Sequence, residues 1–186
     1  MEKVMMSIDK LLDGSASIKE SAAALIEDPL TFFDMSYTKM QSVPRALLEE
    51  LQTAALSLRF ERQKDRIQTL SKLADRQGIT HVSEFNEVLP LCFEHTMYKS
   101  YPSYLLEKSQ FDKLTAWLDR LTPHDLSKLD TSGCHSIHSW LDLLCAETEV
   151  DPIASSGTTG TMSFTPRDKS DWRTQILGGY RIQLLQ

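Results

Sequence analysis

The chain has 186 residues, 41% of them hydrophobic, which is enough for a folded domain with a real core and argues against intrinsic disorder. Twenty Lys and Arg against 26 Asp and Glu give a formal net charge of −6, with no long run of one sign, so a nucleic-acid-wrapping role is not expected. Apolar runs are short and the start, MEKVMMSIDK, brings in an acidic residue at once, so neither a membrane span nor a secretory leader is expected and the chain reads as cytoplasmic.

The first elements are helical by periodicity. Val4, Met5, Ile8, Leu11 and Leu12 form one apolar face, and after the DGSAS break Ile18, Ala22, Leu25 and Ile26 form another. From Ser42, with Pro44 suited to a first turn, Leu47, Leu48, Leu51, Ala55 and Leu58 make a stripe. Ile67, Leu70 and Ala74 continue it towards Gly78, which predicts one long helix. The middle of that stretch, RFERQKDR, carries six charged residues in eight. Glu61 with Lys64 and Arg62 with Asp65 stand at pairing distance on a helix, which reads as a solvated face rather than a basic patch.

Farther on, Phe111, Leu114, Trp117, Leu118 and Leu121 share a helical face, and the Thr122-Pro123 pair stops it. In the preceding FEHTMYKSYP, His95 and Tyr98 could line a pocket, although ordinary packing accounts for the aromatics equally well. Ser136 is placed to cap a helix whose Ile137, Trp140, Leu141 and Leu144 form a buried stripe. Cys134, His135, His138 and Cys145, with His124 nearby, match no standard zinc spacing, so no metal site is assigned. Cys145 in LLCAE reads as a small buried hydrophobe, and the three cysteines, Cys92, Cys134 and Cys145, as reduced thiols.

The pattern then changes. DPIASSGTTGTMSFTP reads as strand, glycine loop and strand, with Met162 and Phe164 on one face and Thr161, Ser163 and Thr165 on the other. Thr165, Pro166 and Asp168 suit the opening of a helix whose buried side would be Trp172 and Ile176. That helix is expected to end near Gly178 and Gly179, with Tyr180, Ile182 and Leu184 starting a new strand that breaks off at Gln186. The chain therefore reads as a piece of a longer protein.

A turn whose successive N–H groups converge can hold polyphosphate, and it needs glycines for the unusual dihedrals and the close approach. Gly157 and Gly160 fit that need, and hydroxyls at Ser155, Ser156, Thr158 and Thr159 add neutral donors. No Gly-Lys-Ser/Thr follows, so this is not the P-loop of nucleotide hydrolases. On composition alone, an ordinary turn between two strands remains the competing reading.

SSGTTGT closely resembles the signature loop of the adenylate-forming superfamily, [ST]-[ST]-G-[ST]-T-G, which includes acyl-CoA synthetases, acyl-protein synthetases, luciferases and peptide-synthetase adenylation domains. With FTPRDKSDW after it, the stretch is most similar to the phenylacetate-CoA ligase and acyl-protein synthetase side of that group. The resemblance covers residues 152–172 firmly and the rest only loosely. It implies an α/β fold: a mainly helical lead-in over residues 1–150, then, over 151–186, the first strands of an incomplete mixed sheet of an adenylate-forming N-terminal domain.

The resemblance also implies an activity. ATP and Mg2+ would be the cofactors, and a carboxylic acid would attack the α-phosphate to give an acyl-adenylate. The acyl group would then pass to a thiol, either coenzyme A or a protein cysteine. Ser156, Gly157, Thr158, Thr159 and Gly160 would take the phosphate contacts, with Ser155 flanking. Many members continue with Gly-x-Pro-Lys-Gly, whereas Thr161, Met162, Ser163 and Phe164 follow here, so neither the proline nor the lysine is present. The family's adenine pocket, ribose-binding aspartate, metal-associated glutamate and catalytic lysine come later in its chains. No catalytic residue is therefore assigned, and these 186 residues alone are expected to be inactive. An alternative of another class is a non-catalytic helical interaction module that keeps a relic phosphate loop.

Overall fold

The computed structural model describes residues 6–155 and 161–183, the side chains of 180–183 excepted. Among these residues the architecture is mainly helical with one two-stranded antiparallel sheet. The chain divides into two compact units. The first falls within Met1–Arg62, Gly78–Pro90 and Arg173–Gln186, the second within Gln63–Gln77 and Leu91–Trp172.

In the first unit α1 (Ile8–Leu12) and α2 (Ile18–Glu27) follow the apolar periodicity of the sequence; Val4 and Met5 lie outside the described residues. A reciprocal cap starts α2: the Ser17 hydroxyl accepts from Glu20 N–H at 3.3 Å, and the Glu20 carboxylate accepts from Ser17 N–H at 3.0 Å. Next come α3 (Pro29–Phe32), capped by Asp28, and α4 (Tyr37–Ser42), capped by Ser36. The helix α5 (Arg45–Gln63) begins directly after Pro44. Ile8, Leu11, Ala22, Phe32, Phe33, Val43 and Leu51 form this unit's core.

The single long helix expected from Ser42 to Gly78 is instead two, α5 and α6 (Gln68–Gln77), with a turn at 64–66 between them. The turn falls in the charged run RFERQKDR, which has Phe60 as its one apolar anchor. Arg62 there pairs with Glu27 of α2 at 2.6 Å rather than with Asp65.

In the second unit, α7 (Tyr104–Glu107) leads to α8 (Phe111–Leu118), which tightens into a 3-10 turn at Asp119–Leu121 before Thr122 and Pro123 end it. Helix α9 (Ile137–Glu147) starts at Ser136 with a reciprocal cap to Ser139. Its Trp140 and Leu144 are fully buried with Leu114, Leu118, Val150 and Phe164. The hairpin β1 (Ile153–Ala154) and β2 (Phe164–Thr165) follows, then α10 (Lys169–Gln183).

Helix α10 corrects three expectations. It starts at Lys169, because hairpin pairing keeps 165–168 extended and Asp168 is the first residue able to cap it. It runs through Gly178 and Gly179 to Gln183, so the strand expected at 180–184 is replaced by helix as far as 183, with Leu184 outside the described residues. Trp172 and Ile176 are exposed, at 42% and 37%, rather than buried.

Candidate functional site

In the sequence the glycine run joins β1 to β2, and the described residues show how the two arms are held. Pairing runs from base to tip: Lys169 N–H donates to the Glu149 carbonyl at 3.0 Å and Asp151 N–H to the Arg167 carbonyl at 2.7 Å. Ile153 then faces Thr165, and Ala154 faces Phe164. Ser155 closes the ladder, since its N–H donates to the Ser163 carbonyl at 3.0 Å while its hydroxyl accepts from Ser163 N–H at 2.9 Å. That acceptor role leaves the hydroxyl proton of Ser155 available as a donor. Ser156, Gly157, Thr158, Thr159 and Gly160 lie outside the described residues.

Strand β2 is anchored through its apolar face. Phe164 is fully buried, edge-on to Trp140 with ring centroids 5.2 Å apart and tilted against Tyr101 at 5.6 Å. The Tyr101 hydroxyl donates to the Met162 carbonyl at 2.7 Å, fastening the chain one residue beyond Ser163. Burial pushes the Tyr101 phenol up to about 12. Trp140 is itself fixed by an indole N–H bond to the buried Thr115 hydroxyl at 2.8 Å. The loop's return arm therefore rests on an aromatic cluster drawn from α8, α9 and Tyr101.

The hairpin base carries the charged groups. His124 Nε2 lies 2.6 Å from Asp168 Oδ2, each side chain 28% exposed. The other oxygen of Asp168 accepts from Ser170 N–H at 2.7 Å and caps α10. Burial works to raise the Asp168 carboxyl, but the bonds from Ser170 and His124 outweigh it and hold the group below its usual range. Arg167 stacks its guanidinium over Trp172, 3.8 Å from the ring centroid, and lies 3.6 Å from Asp151. That cation explains why Trp172 stays near the surface: its ring covers the flat face of a largely buried arginine.

The other candidate residues do not come together. His138 turns to Asp142 on its own helix at 3.4 Å, His135 is exposed, and His124 belongs to the hairpin base. Cys134 is the buried thiol, whereas Cys145 is exposed, contrary to expectation, because it lies off the Trp140 and Leu144 stripe of α9. None of the three cysteines is in a disulfide. His95 is exposed, and Tyr98 packs against Phe93 with centroids 6.2 Å apart. Among the described residues no three His, Cys, Asp or Glu side chains are grouped to hold a metal ion, and no helix is long and apolar enough to cross a membrane.

Sequence reasoning missed the His124–Asp168 pair and the Tyr101–Met162 bond, whose partners stand 44 and 61 residues apart with no shared local signal. Comparison with protein-family models, with curated proteins and with solved structures finds no match for the chain.

Proposed function

We propose that the chain is the N-terminal part of an ATP-dependent ligase that adenylates a carboxylic acid and passes the acyl group to a thiol. The observation that carries this reading is the run SSGTTGT in the sequence, together with the described residues on either side of 156–160, where Ser155 bonds to Ser163 across an antiparallel hairpin and Tyr101 fastens Met162. Attack at phosphorus needs positioning and charge neutralisation more than a covalent protein group, and a loop of glycines and hydroxyls supplies both. Pinned arms serve that task because a phosphate cradle works only if its donors are fixed before the nucleotide arrives.

In this reading Ser156, Gly157, Thr158, Thr159 and Gly160 hold the ATP phosphates through N–H groups and hydroxyls. Ser155 fits the flanking contact, since the hydroxyl that accepts from Ser163 N–H keeps a proton to donate. Mg2+, taking oxygen ligands from the phosphates, would neutralise charge on them. The acid, the thiol acceptor and cytoplasmic residence belong to the same proposal.

The test is ATP–pyrophosphate exchange in the longest natural form of the protein, with Thr158→Val and Thr159→Val together. Loss of two hydroxyl donors to a developing charge is expected to lower exchange about 100-fold or more. Unchanged exchange and unchanged ATP affinity would rule out the phosphate-loop role.

A further inference from the structure

Three features that each cost stability meet at one place in the first unit. Asp34 and Met35 are successive non-glycine residues in the left-handed region, with φ of 51° and 56°. Gly178 and Gly179 occupy the interior of α10, where glycine is disfavoured relative to alanine. Packing there also leaves a cavity of about 260 Å3, walled by Leu30, Phe33, Met35 and Met40 and, from α10, by Thr174 and Gly178.

The three are connected. The left-handed pair folds the chain back so that Met35 N–H reaches the Leu30 carbonyl at 2.7 Å, which sets Leu30 and Met35 as neighbouring walls. Thr174 and Gly178 stand one turn apart on the same face of α10. No close approach forces a glycine at 178, since a methyl there would meet only Leu30, at an ordinary 3.9 Å. What glycine does at this position is leave the cavity open.

The chemistry of the walls selects the occupant. Almost all the surface they present is apolar, and two of them are methionines, whose unbranched thioethers adapt to varied shapes. The nearby cations are already matched: Lys39 pairs with Asp9 and Asp34, and Arg173 lies 3.9 Å from Asp28. A charged ligand would lose its hydration against walls that carry no charged side chain. For size, a 150 Å3 apolar cavity accepts benzene, so one of 260 Å3 accommodates about ten carbons.

We infer that this cavity is a binding site for an uncharged, largely hydrocarbon ligand of about ten carbon atoms. The inference stands on the first unit alone and does not depend on the phosphate-loop reading.

Calorimetric titration of the protein with 1-decanol, decanoate and decyltrimethylammonium tests it. One molecule of decanol is expected to bind saturably, about tenfold more tightly than either ion. Gly178→Leu, which fills the cavity from α10, is expected to weaken decanol binding about tenfold or more with helix content unchanged by circular dichroism. Gly178→Ala should stay within about threefold of the parent. Thr174→Phe fills the same space from one turn earlier and carries the test if the leucine variant does not fold. Absence of saturable decanol binding, decanoate binding as tightly as decanol, or undiminished affinity in a folded filled variant would each overturn the inference.

Discussion

The two units solve the same packing problem differently. In the second, large rings interlock: Phe111, Trp140, Phe164 and Tyr101 form a chain of ring contacts 5.2 to 6.1 Å apart, and Trp140 spends its one polar atom on Thr115. In the first, the core of Ile8, Leu11, Ala22, Phe32, Phe33, Val43 and Leu51 adjoins unfilled space bordered by glycine and by left-handed backbone. Filled packing holds a hairpin arm in place, and unfilled packing leaves room for something else. The difference teaches that burial alone does not tell a scaffold from a receptacle; where the voids lie does.

Truncation breaks the comparison most sharply. Trp140→Ala is expected to cost about 3–5 kcal/mol, because the surrounding rings cannot collapse into the hole. Phe33→Ala, beside space that already exists, should fall at or below the low end of that range, about 3 kcal/mol. Chemical denaturation of both variants checks the order, and equal losses would erase the contrast between the cores.

Asp168 comes next. Asp168→Ala removes the α10 cap and the His124 partner, with an expected loss of about 1–2 kcal/mol. Its carboxyl lies below the usual value when folded, so the stability it confers is present above the ordinary aspartate range, near 3.8, and is lost as pH falls through the lowered folded value. An acid titration of stability should therefore be shallower in the alanine variant.

Tyr101→Phe should cost about 1 kcal/mol by freeing the Met162 carbonyl. The sign of its pH effect is the reverse of that for Asp168. The phenol is raised to about 12, so its contribution is intact below its ordinary 10.0 and disappears between there and about 12. Ultraviolet titration should show a tyrosine ionising at about 12 that the phenylalanine variant lacks. The smallest change is Gly179→Ala, where a methyl meets nothing within 4 Å and the helix should gain about 0.5–1 kcal/mol. Thermal unfolding would detect it.

What could be read in advance follows the range of the forces involved. Ser136 as a cap, the Leu114 and Leu118 stripe and the antiparallel hairpin are set by neighbours within a few residues, and all three were legible. The end of α5 was not, since Ile67, Leu70 and Ala74 continue its period while the chain turns at 64–66. The exposure of Trp172 depends on Arg167 lying over it, and periodicity cannot weigh a cation over a ring against burial. At the loop, the glycines and hydroxyls were legible as types. The pins at Tyr101 and His124 were not, because each contact arises only when distant segments meet.

The edge-on contact of Phe164 with Trp140 has an optical consequence. The indole is rigid, fully enclosed and hydrogen-bonded, and one of its neighbours is the residue that carries the hairpin's return arm. Its near-ultraviolet dichroism and its emission wavelength thus report whether that arm is seated. With Trp117 and Trp172 replaced by phenylalanine, the protein would carry an intrinsic spectroscopic gauge of the hairpin's return arm, readable in solution without attaching a label.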